Sequence, residues 1–223
     1  MGEKRTIQSA DGTTIGAWQA RPSGMIKAGM VVIQEIFGVN NHIRNVTDRF
    51  AADGYLALAP AMFDRRKPDV DLGYTQDGIA QGREIAMSLT PAEIMADVEG
   101  AIKVLRGLGC AKVGIVGFCF GGTVAWRAAA GADVDAAVGY YGGGVYGARD
   151  LKPRVPTALH FGDKDAHIPM DQVRAVADLH PEVEVHVYAA DHGFHCDERG
   201  SYDAAAARLA YGRTLEFFGK HLA

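Results

Sequence analysis

One cysteine in the sequence stands in a setting that could make it a nucleophile. Cys119 has Gly117 two residues before it and Gly121 two residues after it. This spacing is that of a sharp strand-to-helix turn that presents an enzyme nucleophile, with cysteine in the position that serine usually takes. Only small residues fit the two flanking positions, because strand and helix crowd them. The turn would place the sulfur at a helix N-terminus, whose dipole favours a thiolate.

A base and an acid follow this cysteine along the chain. His192 comes directly after one predicted strand, and Asp163 and Asp165 come directly after another. The chain order nucleophile, acid, histidine is that of α/β-hydrolases. Both aspartates are candidates for the acid, and the spacing of the segment 162–169 favours Asp165. We therefore predict a triad of Cys119, His192 and Asp165.

The elements that must position these residues alternate between strand and helix. Short apolar runs predict buried strands, and apolar residues at helical spacing predict helices. The predicted strands are Met30–Gln34, Tyr55–Ala59, Val113–Val116, Ala136–Tyr140, Thr157–Phe161 and Glu184–Tyr188. The predicted helices are Gln76–Met87, Ala92–Leu108, Thr123–Ala130, Asp171–Leu179, Ala204–Phe218 and one that contains Ile43, Val46, Phe50 and Ala51 and ends at Gly54. This alternation predicts an α/β fold with a mostly parallel central sheet and helices on both faces.

The N-terminal region departs from that alternation. Ile7–Ser9 and Thr13–Gln19 flank Asp11-Gly12, which predicts an antiparallel hairpin. No linker or repeat interrupts the chain, so we expect one domain over residues 1–223. In such an architecture the ligand lies beyond the C-terminal ends of the parallel strands.

Composition excludes several classes of function. The net charge is −4 and the isoelectric point is about 6.0, which argues against a nucleic-acid-binding protein. No run of apolar residues is long enough for a membrane span, so we expect no membrane partner. The three cysteines form no Cys-x-x-Cys pair, which favours a reducing compartment and hence a cytoplasmic protein.

Several segments together resemble the dienelactone hydrolase family, the branch of the α/β-hydrolases that has a cysteine nucleophile. The matching segments are Gln34–Asn40, Gly117–Gly122, Gly139–Gly142, Gly162–Pro169 and His192–Phe194. The resemblance implies that Cys119, Asp165 and His192 form the triad and that Glu35 is an auxiliary carboxylate beside the thiol. It also implies an oxyanion hole made by the backbone N–H groups of Ile36 and Phe120.

The resemblance is weaker where substrate specificity is concerned. The family carries an arginine for the substrate carboxylate four residues after the histidine, where this chain has Cys196, and Gly193 replaces a serine. Losing such an arginine removes a contact worth about 1.5–3 kcal/mol. Arg199 or His195 could substitute for it. The candidate substrate-binding residues are Phe37, Arg83, Tyr141 and Cys196.

Two competing motifs are less convincing. Gly142–Gly147 fits a Gly-x-Gly-x-x-Gly pattern, but the prolines at 153 and 156 forbid the long helix that dinucleotide binding requires. His192, His195 and Cys196 are able to bind a metal, yet their spacing is not a zinc signature. We therefore expect neither a metal nor an organic cofactor.

The sequence thus predicts a hydrolase of small-molecule esters or lactones, of the dienelactone hydrolase or carboxymethylenebutenolidase type. Cys119 would form a thioester acyl-enzyme, and His192, oriented by Asp165, would activate water. The alternative is a catalytically silent member of the fold that acts as a thiol redox sensor or a binding module. A monomer and a homodimer are both compatible with the sequence.

Overall fold

The computed structural model describes all 223 residues as eight strands, six α-helices and two short 3-10 helices. The strands are β1 (Glu3–Gln8), β2 (Thr14–Ala20), β3 (Gly29–Ile33), β4 (Leu56–Pro60), β5 (Val113–Phe118), β6 (Ala136–Tyr140), β7 (Thr157–Gly162) and β8 (Glu184–Tyr188). The α-helices are α1 (Asn41–Ala52), α2 (Gln76–Ser88), α3 (Pro91–Gly107), α4 (Phe120–Gly131), α5 (Met170–Leu179) and α6 (Ala204–His221). The 3-10 helices are Met62–Arg65 and Tyr146–Ala148.

All eight strands form one sheet in the order β1-β2-β4-β3-β5-β6-β7-β8. The six strands β3 to β8 are parallel to one another, whereas β1 pairs antiparallel with β2 and β2 pairs antiparallel with β4. The predicted fold class, a mostly parallel sheet with an N-terminal antiparallel pair, is therefore confirmed.

The central strands are apolar along their whole length because helices cover both faces of the sheet. In β3, Met30 and Val32 point into one core, and Val31 and Ile33 point into the other. Helices α1 and α6 pack on the first face, and α3 packs on the second. Side chains alternate across a strand, so a run of consecutive apolar residues is what a sheet buried on both faces requires.

Local sequence signals fix several element ends. Thr90 caps α3, with its hydroxyl accepting from the Glu93 N–H at 3.2 Å and the Glu93 carboxylate accepting from the Thr90 N–H at 2.8 Å. This reciprocal capping box, with Pro91 as the first helical residue, is a strong helix start. Gly54 has a φ of +100° just after α1, and Gly12 has a φ of +86° in the hairpin loop. Both glycines adopt a left-handed conformation that other residues rarely accept.

The strand ends gather the candidate chemistry at one edge of the sheet. Glu35 follows β3, Cys119 follows β5, Asp165 follows β7 and His192 follows β8. None of the helices combines the length and the apolar composition needed to cross a lipid bilayer.

Candidate active site

Cys119 occupies a strained turn between β5 and α4. Its backbone has a φ of +54° and a ψ of −111°, a combination that side-chain-bearing residues rarely adopt. The flanking glycines allow this turn, because a Cβ on Gly117 would overlap the carbonyl oxygen of Gly121. A Cβ on Gly121 would in turn lie 2.5 Å from the carbonyl oxygen of Ile33. The elbow predicted from the glycine spacing is therefore present, with the sulfur at the first turn of α4.

The imidazole of His192 lies between the thiol and a carboxylate. Its Nε2 is 3.2 Å from Cys119 Sγ, and its Nδ1 is 2.7 Å from Asp165 Oδ2. Asp165 Oδ1 accepts from the His167 N–H at 2.8 Å, which fixes the carboxylate. The Asp165 side chain is fully buried, whereas Asp163 is exposed. The structure thus places Asp165, and not Asp163, against the histidine.

The charges in this trio support one another. Burial by itself lowers the pKa of His192, but hydrogen bonds to Asp165 and Cys119 outweigh it and raise the pKa to about 10. Burial likewise raises the pKa of Asp165, and the bond to His192 outweighs it and lowers that pKa below its usual value. At neutral pH the imidazole is therefore protonated and paired with the Asp165 carboxylate, while its other nitrogen lies 3.2 Å from Cys119 Sγ.

Two residues of the cavity that contains Cys119 have backbone N–H groups without a backbone hydrogen-bond partner. Phe120 is the first residue of α4, so its N–H has no partner in the helix. The Ile36 N–H makes no backbone hydrogen bond, and both residues line the cavity that contains Cys119. This arrangement can receive the negative oxygen of a tetrahedral intermediate.

Glu35 is fully buried and held by two side chains from distant loops. Its Oε1 accepts from Arg199 Nη1 at 3.2 Å, and its Oε2 accepts from the Tyr74 hydroxyl at 3.2 Å. Gly193 makes room for this contact, because a Cβ there would lie 2.5 Å from Arg199 Nη1. Glycine at position 193 and Arg199 seven residues after His192 thus form one structural unit.

The cavity beside Cys119 has a volume of about 400 Å³ and is mostly apolar. Its lining residues are Ile36, Phe37, Ile79, Arg83, Cys119, Phe120, Thr123, Gly143, Gly144, His167, His192 and Arg199. Two of the four residues predicted to contact substrate, Phe37 and Arg83, are therefore exposed to the cavity. The cavity holds two arginines, Arg83 and Arg199, of which Arg83 makes no ion pair.

The other two residues predicted to contact substrate lie behind the cavity wall. Tyr141 and Cys196 are fully buried and do not line the cavity. Tyr141 has a φ of +37°, and its ring centroid is 5.2 Å from that of His192. In this conformation neither side chain is placed to contact a substrate directly.

Tyr74 and His167 lie at the site but are not among the residues predicted from the sequence. Tyr74 falls in a polar stretch without periodicity, and no local pattern indicates that it reaches Glu35. His167 belongs to the acid turn 162–169, and its ring centroid lies 5.6 Å from that of His192. A histidine two residues after the acid is the signal that could have indicated it.

A larger depression lies elsewhere on the molecule. It has a volume of about 1060 Å³ and runs along β1, β2 and the segment 68–71. Its lining combines lysine, arginine and aspartate side chains and includes none of the triad candidates. We therefore place the chemistry in the smaller cavity. The glycine-rich segment 142–147 leads only into the 3-10 helix Tyr146–Ala148, which is too short to bind a dinucleotide phosphate.

Comparison with known proteins yields consistent similarities. Residues 15–222 match the family model described as "Dienelactone hydrolase family". A carboxymethylenebutenolidase from Pseudomonas putida is 35% identical over 229 residues, which cover 97% of this chain and 96% of that protein. A Synechocystis protein provisionally named as a carboxymethylenebutenolidase is 37% identical over 211 residues, 86% of either chain. A solved structure from Klebsiella pneumoniae, provisionally described as a dienelactone hydrolase, matches with a TM-score of 0.84 and 28% identity, covering 98% of this chain and 100% of that one.

Proposed function

This chain belongs to the dienelactone hydrolase family and is a hydrolase of ester or lactone bonds, and we propose that Cys119 is its nucleophile. The observation that carries the proposal is the single imidazole that lies 3.2 Å from the Cys119 sulfur and 2.7 Å from the Asp165 carboxylate. The family assignment favours an active hydrolase over the alternative of a catalytically silent protein, and the cysteine mechanism is our proposal.

In the acylation step the Cys119 thiolate attacks the carbonyl carbon of the substrate. A bond forms between Sγ and that carbon, and the carbonyl electron pair moves to the oxygen. The N–H groups of Ile36 and Phe120 stabilise this oxyanion, and each such donor is worth about 3 kcal/mol in comparable sites. When the tetrahedral intermediate collapses, the bond to the leaving oxygen breaks, and that oxygen takes a proton from His192. A lactone ring opens in this step, and the acyl group remains on sulfur as a thioester.

Deacylation reverses these proton movements. Neutral His192 accepts a proton from water, and the hydroxide formed attacks the thioester carbon. The carbon–sulfur bond breaks and the acid product leaves. Sγ departs as a thiolate and is again paired with the imidazolium, as in the resting enzyme. Asp165 holds the ring in the required tautomer throughout, because its carboxylate accepts from Nδ1.

We further propose that the substrate carries a carboxylate. Arg83 and Arg199 bring two guanidinium groups to a cavity that is otherwise mostly apolar. Arg199 already binds a carboxylate, that of Glu35, at 3.2 Å. A substrate carboxylate would compete with Glu35 for this guanidinium, because arginine is well suited to paired carboxylate contacts. Arg199 would then take the role of the family arginine that Cys196 replaces.

The proposal also covers the substrate class and the cellular location. The substrate class is a small-molecule ester, as the family implies. We propose a cytoplasmic location, which is supported by three free cysteines, one of them the nucleophile. A monomer or a homodimer is compatible with the fold.

The proposal is tested with a panel of neutral and carboxylate-bearing esters and lactones, a dienelactone among them. We expect Cys119→Ala to lose activity by a factor on the order of 10³ or more, and mass spectrometry to find the acyl group of a slow substrate on Cys119 of the native enzyme. Cys110→Ala is the matched control, since that buried thiol lies outside the cavity and should leave turnover intact. Equal rates for Cys119→Ala and the native enzyme would refute the nucleophile.

A further inference from the structure

Three side chains able to bind a metal lie together in the protein interior, next to the candidate active site. A carboxylate oxygen of Glu35, a ring nitrogen of His42 and the sulfur of Cys196 are all within 4.8 Å of one another. All three residues are fully buried. They come from the loop after β3, the start of α1 and the loop after β8, so only the fold brings them together.

His42 is prepared to accept a cation. Its Nδ1 lies 3.1 Å from Asp197 Oδ1, and because a carboxylate only accepts, Nδ1 carries the proton. The other nitrogen, Nε2, then has a free lone pair, yet it is buried and has no hydrogen-bond partner. An unpaired acceptor in the interior is costly, and a cation would satisfy it. A carboxylate on the far nitrogen is also the usual support of a metal-binding histidine.

Glu35 keeps coordination capacity despite its two hydrogen bonds. Arg199 donates to Oε1 and Tyr74 donates to Oε2, which leaves each oxygen a second lone pair. The charges of the surrounding side chains also compensate that of a divalent ion. Glu35 and a Cys196 thiolate together neutralise it, while Asp197 on His42 balances the nearby Arg199.

We propose that Glu35, His42 and Cys196 form a binding site for a thiophilic divalent cation of the zinc class. Sulfur, imidazole nitrogen and carboxylate oxygen are the three donor types that Zn²⁺ binds in proteins. The Tyr74 hydroxyl, which lies 3.2 Å from Glu35 Oε2, is the candidate for the fourth ligand. Burial keeps the free Cys196 thiol protonated, so coordination releases one proton from Sγ to solvent as the metal–sulfur bond forms.

This site differs from the group of possible metal ligands identified in the sequence, which consisted of His192, His195 and Cys196. Only the cysteine is common to both sets. The inference does not rest on the proposed nucleophile, because a metal ion is bound or not bound whether or not Cys119 reacts.

The test is Zn²⁺ binding to the full chain after treatment with a chelator, measured in competition with a chromogenic chelator. We expect one Zn²⁺ per chain. His42→Gln and Cys196→Ser should each weaken binding by more than 100-fold. Asp197→Asn should weaken it by about 10- to 100-fold, as loss of a supporting carboxylate does. Substituting Co²⁺ should give a thiolate-to-metal absorption band that disappears in Cys196→Ser.

Cys119→Ser and Cys110→Ser are the controls, and both should retain the site. Binding that survives Cys196→Ser but is lost in Cys119→Ser would overturn the proposal, because the ion would then lie in the cavity. Absence of any stoichiometric Zn²⁺ in the native chain would also overturn it. Should the His42 or Cys196 variant fail to fold, Asp197→Asn still decides the question, because the Asp197 side chain is largely exposed.

Discussion

At the scale of single residues, the protonation of His192 links the chemistry to stability. The ring is almost buried and gains its proton affinity from contacts that exist only in the folded chain, those with Asp165 and Cys119. Its folded-state pKa of about 10 lies above the unfolded value of 6.5. The folded protein therefore binds this proton more tightly than the unfolded chain does.

This difference predicts how stability depends on pH. The contribution of His192 is fully present below pH 6.5 and is lost as the pH rises through about 10. Melting temperatures of the native enzyme and of His192→Gln, measured from pH 6 to pH 10.5, should converge toward the alkaline end. A gap that stays constant over this range would show that His192 does not carry the raised pKa.

Arg199 gives a second prediction at this scale. Arg199→Gln removes the guanidinium but keeps an amide beside Glu35. If the substrate carboxylate binds there, KM for an anionic ester should rise by about 10- to 100-fold, which corresponds to the loss of a charge-assisted contact of about 1.5–3 kcal/mol. KM for a neutral ester of the same size should change little.

Arg83→Gln is the matched control for this measurement. Arg83 lines the same cavity but is exposed, so its contribution should be smaller than that of Arg199. An equal rise in KM for the neutral and the anionic ester would contradict carboxylate recognition by Arg199.

At the scale of elements, the turn between β5 and α4 depends on glycines that approach other backbone atoms. In Gly121→Ala the new Cβ would lie 2.5 Å from the Ile33 oxygen and 2.7 Å from the Gln34 oxygen. Backbone at these positions has little freedom to move, so we expect a cost of about 1–3 kcal/mol. The melting temperature should fall by several degrees, and activity should fall with it because Cys119 is displaced.

Gly219→Ala provides the comparison for this effect. Gly219 lies in α6 with open space around it, so alanine adds no clash there. Alanine should instead stabilise the helix by about 0.5–1 kcal/mol. If both substitutions changed the melting temperature alike, crowding at the turn would not be the cause.

At the scale of the whole molecule, a buried ion cluster ties the N-terminal hairpin to the helical layer. Arg65 Nε lies 3.0 Å and 2.9 Å from the two carboxylate oxygens of Asp97 in α3, and its Nη1 lies 2.9 Å from Asp11 Oδ2 in the hairpin loop. The side chains of Arg65 and Asp97 are 4% and 0% exposed, so neither charge has water as an alternative partner. The hairpin is thereby fixed to the rest of the fold.

Removing the arginine should therefore loosen the hairpin. In Arg65→Ala the buried Asp97 carboxylate is left without its cation, which typically costs about 3–5 kcal/mol. Urea unfolding should show this loss, and amide exchange in β1 and β2 should accelerate. Lys4→Ala is the control, because its ion pair with Asp69 is exposed and should matter little. Equal effects of the two substitutions would mean that Arg65 is not a tether.

The sequence by itself determined the order of the strands and helices and the turn that carries Cys119. Hydrophobic runs placed every parallel strand to within a few residues, because the strands at the centre of the sheet are buried on both faces and are almost entirely apolar. Two local features could also be predicted: the turn at Cys119, from Gly117 and Gly121, and the start of α3, from Thr90 and Pro91. Each depends on interactions between residues that are only a few positions apart in the chain. The spacing of the segment 162–169 likewise favoured Asp165 over Asp163.

Only the tertiary structure decided what surrounds Glu35. Tyr74 and Arg199 reach its carboxylate from loops that lie 39 and 164 residues away along the chain. His42 and Cys196 each have a ligand atom within 4.8 Å of a Glu35 oxygen. Loop conformations of this kind depend on long-range contacts and on available space, such as the gap left by the missing side chain of Gly193. No local periodicity carries that information, so the partners of this buried charge appear only once the chain has folded.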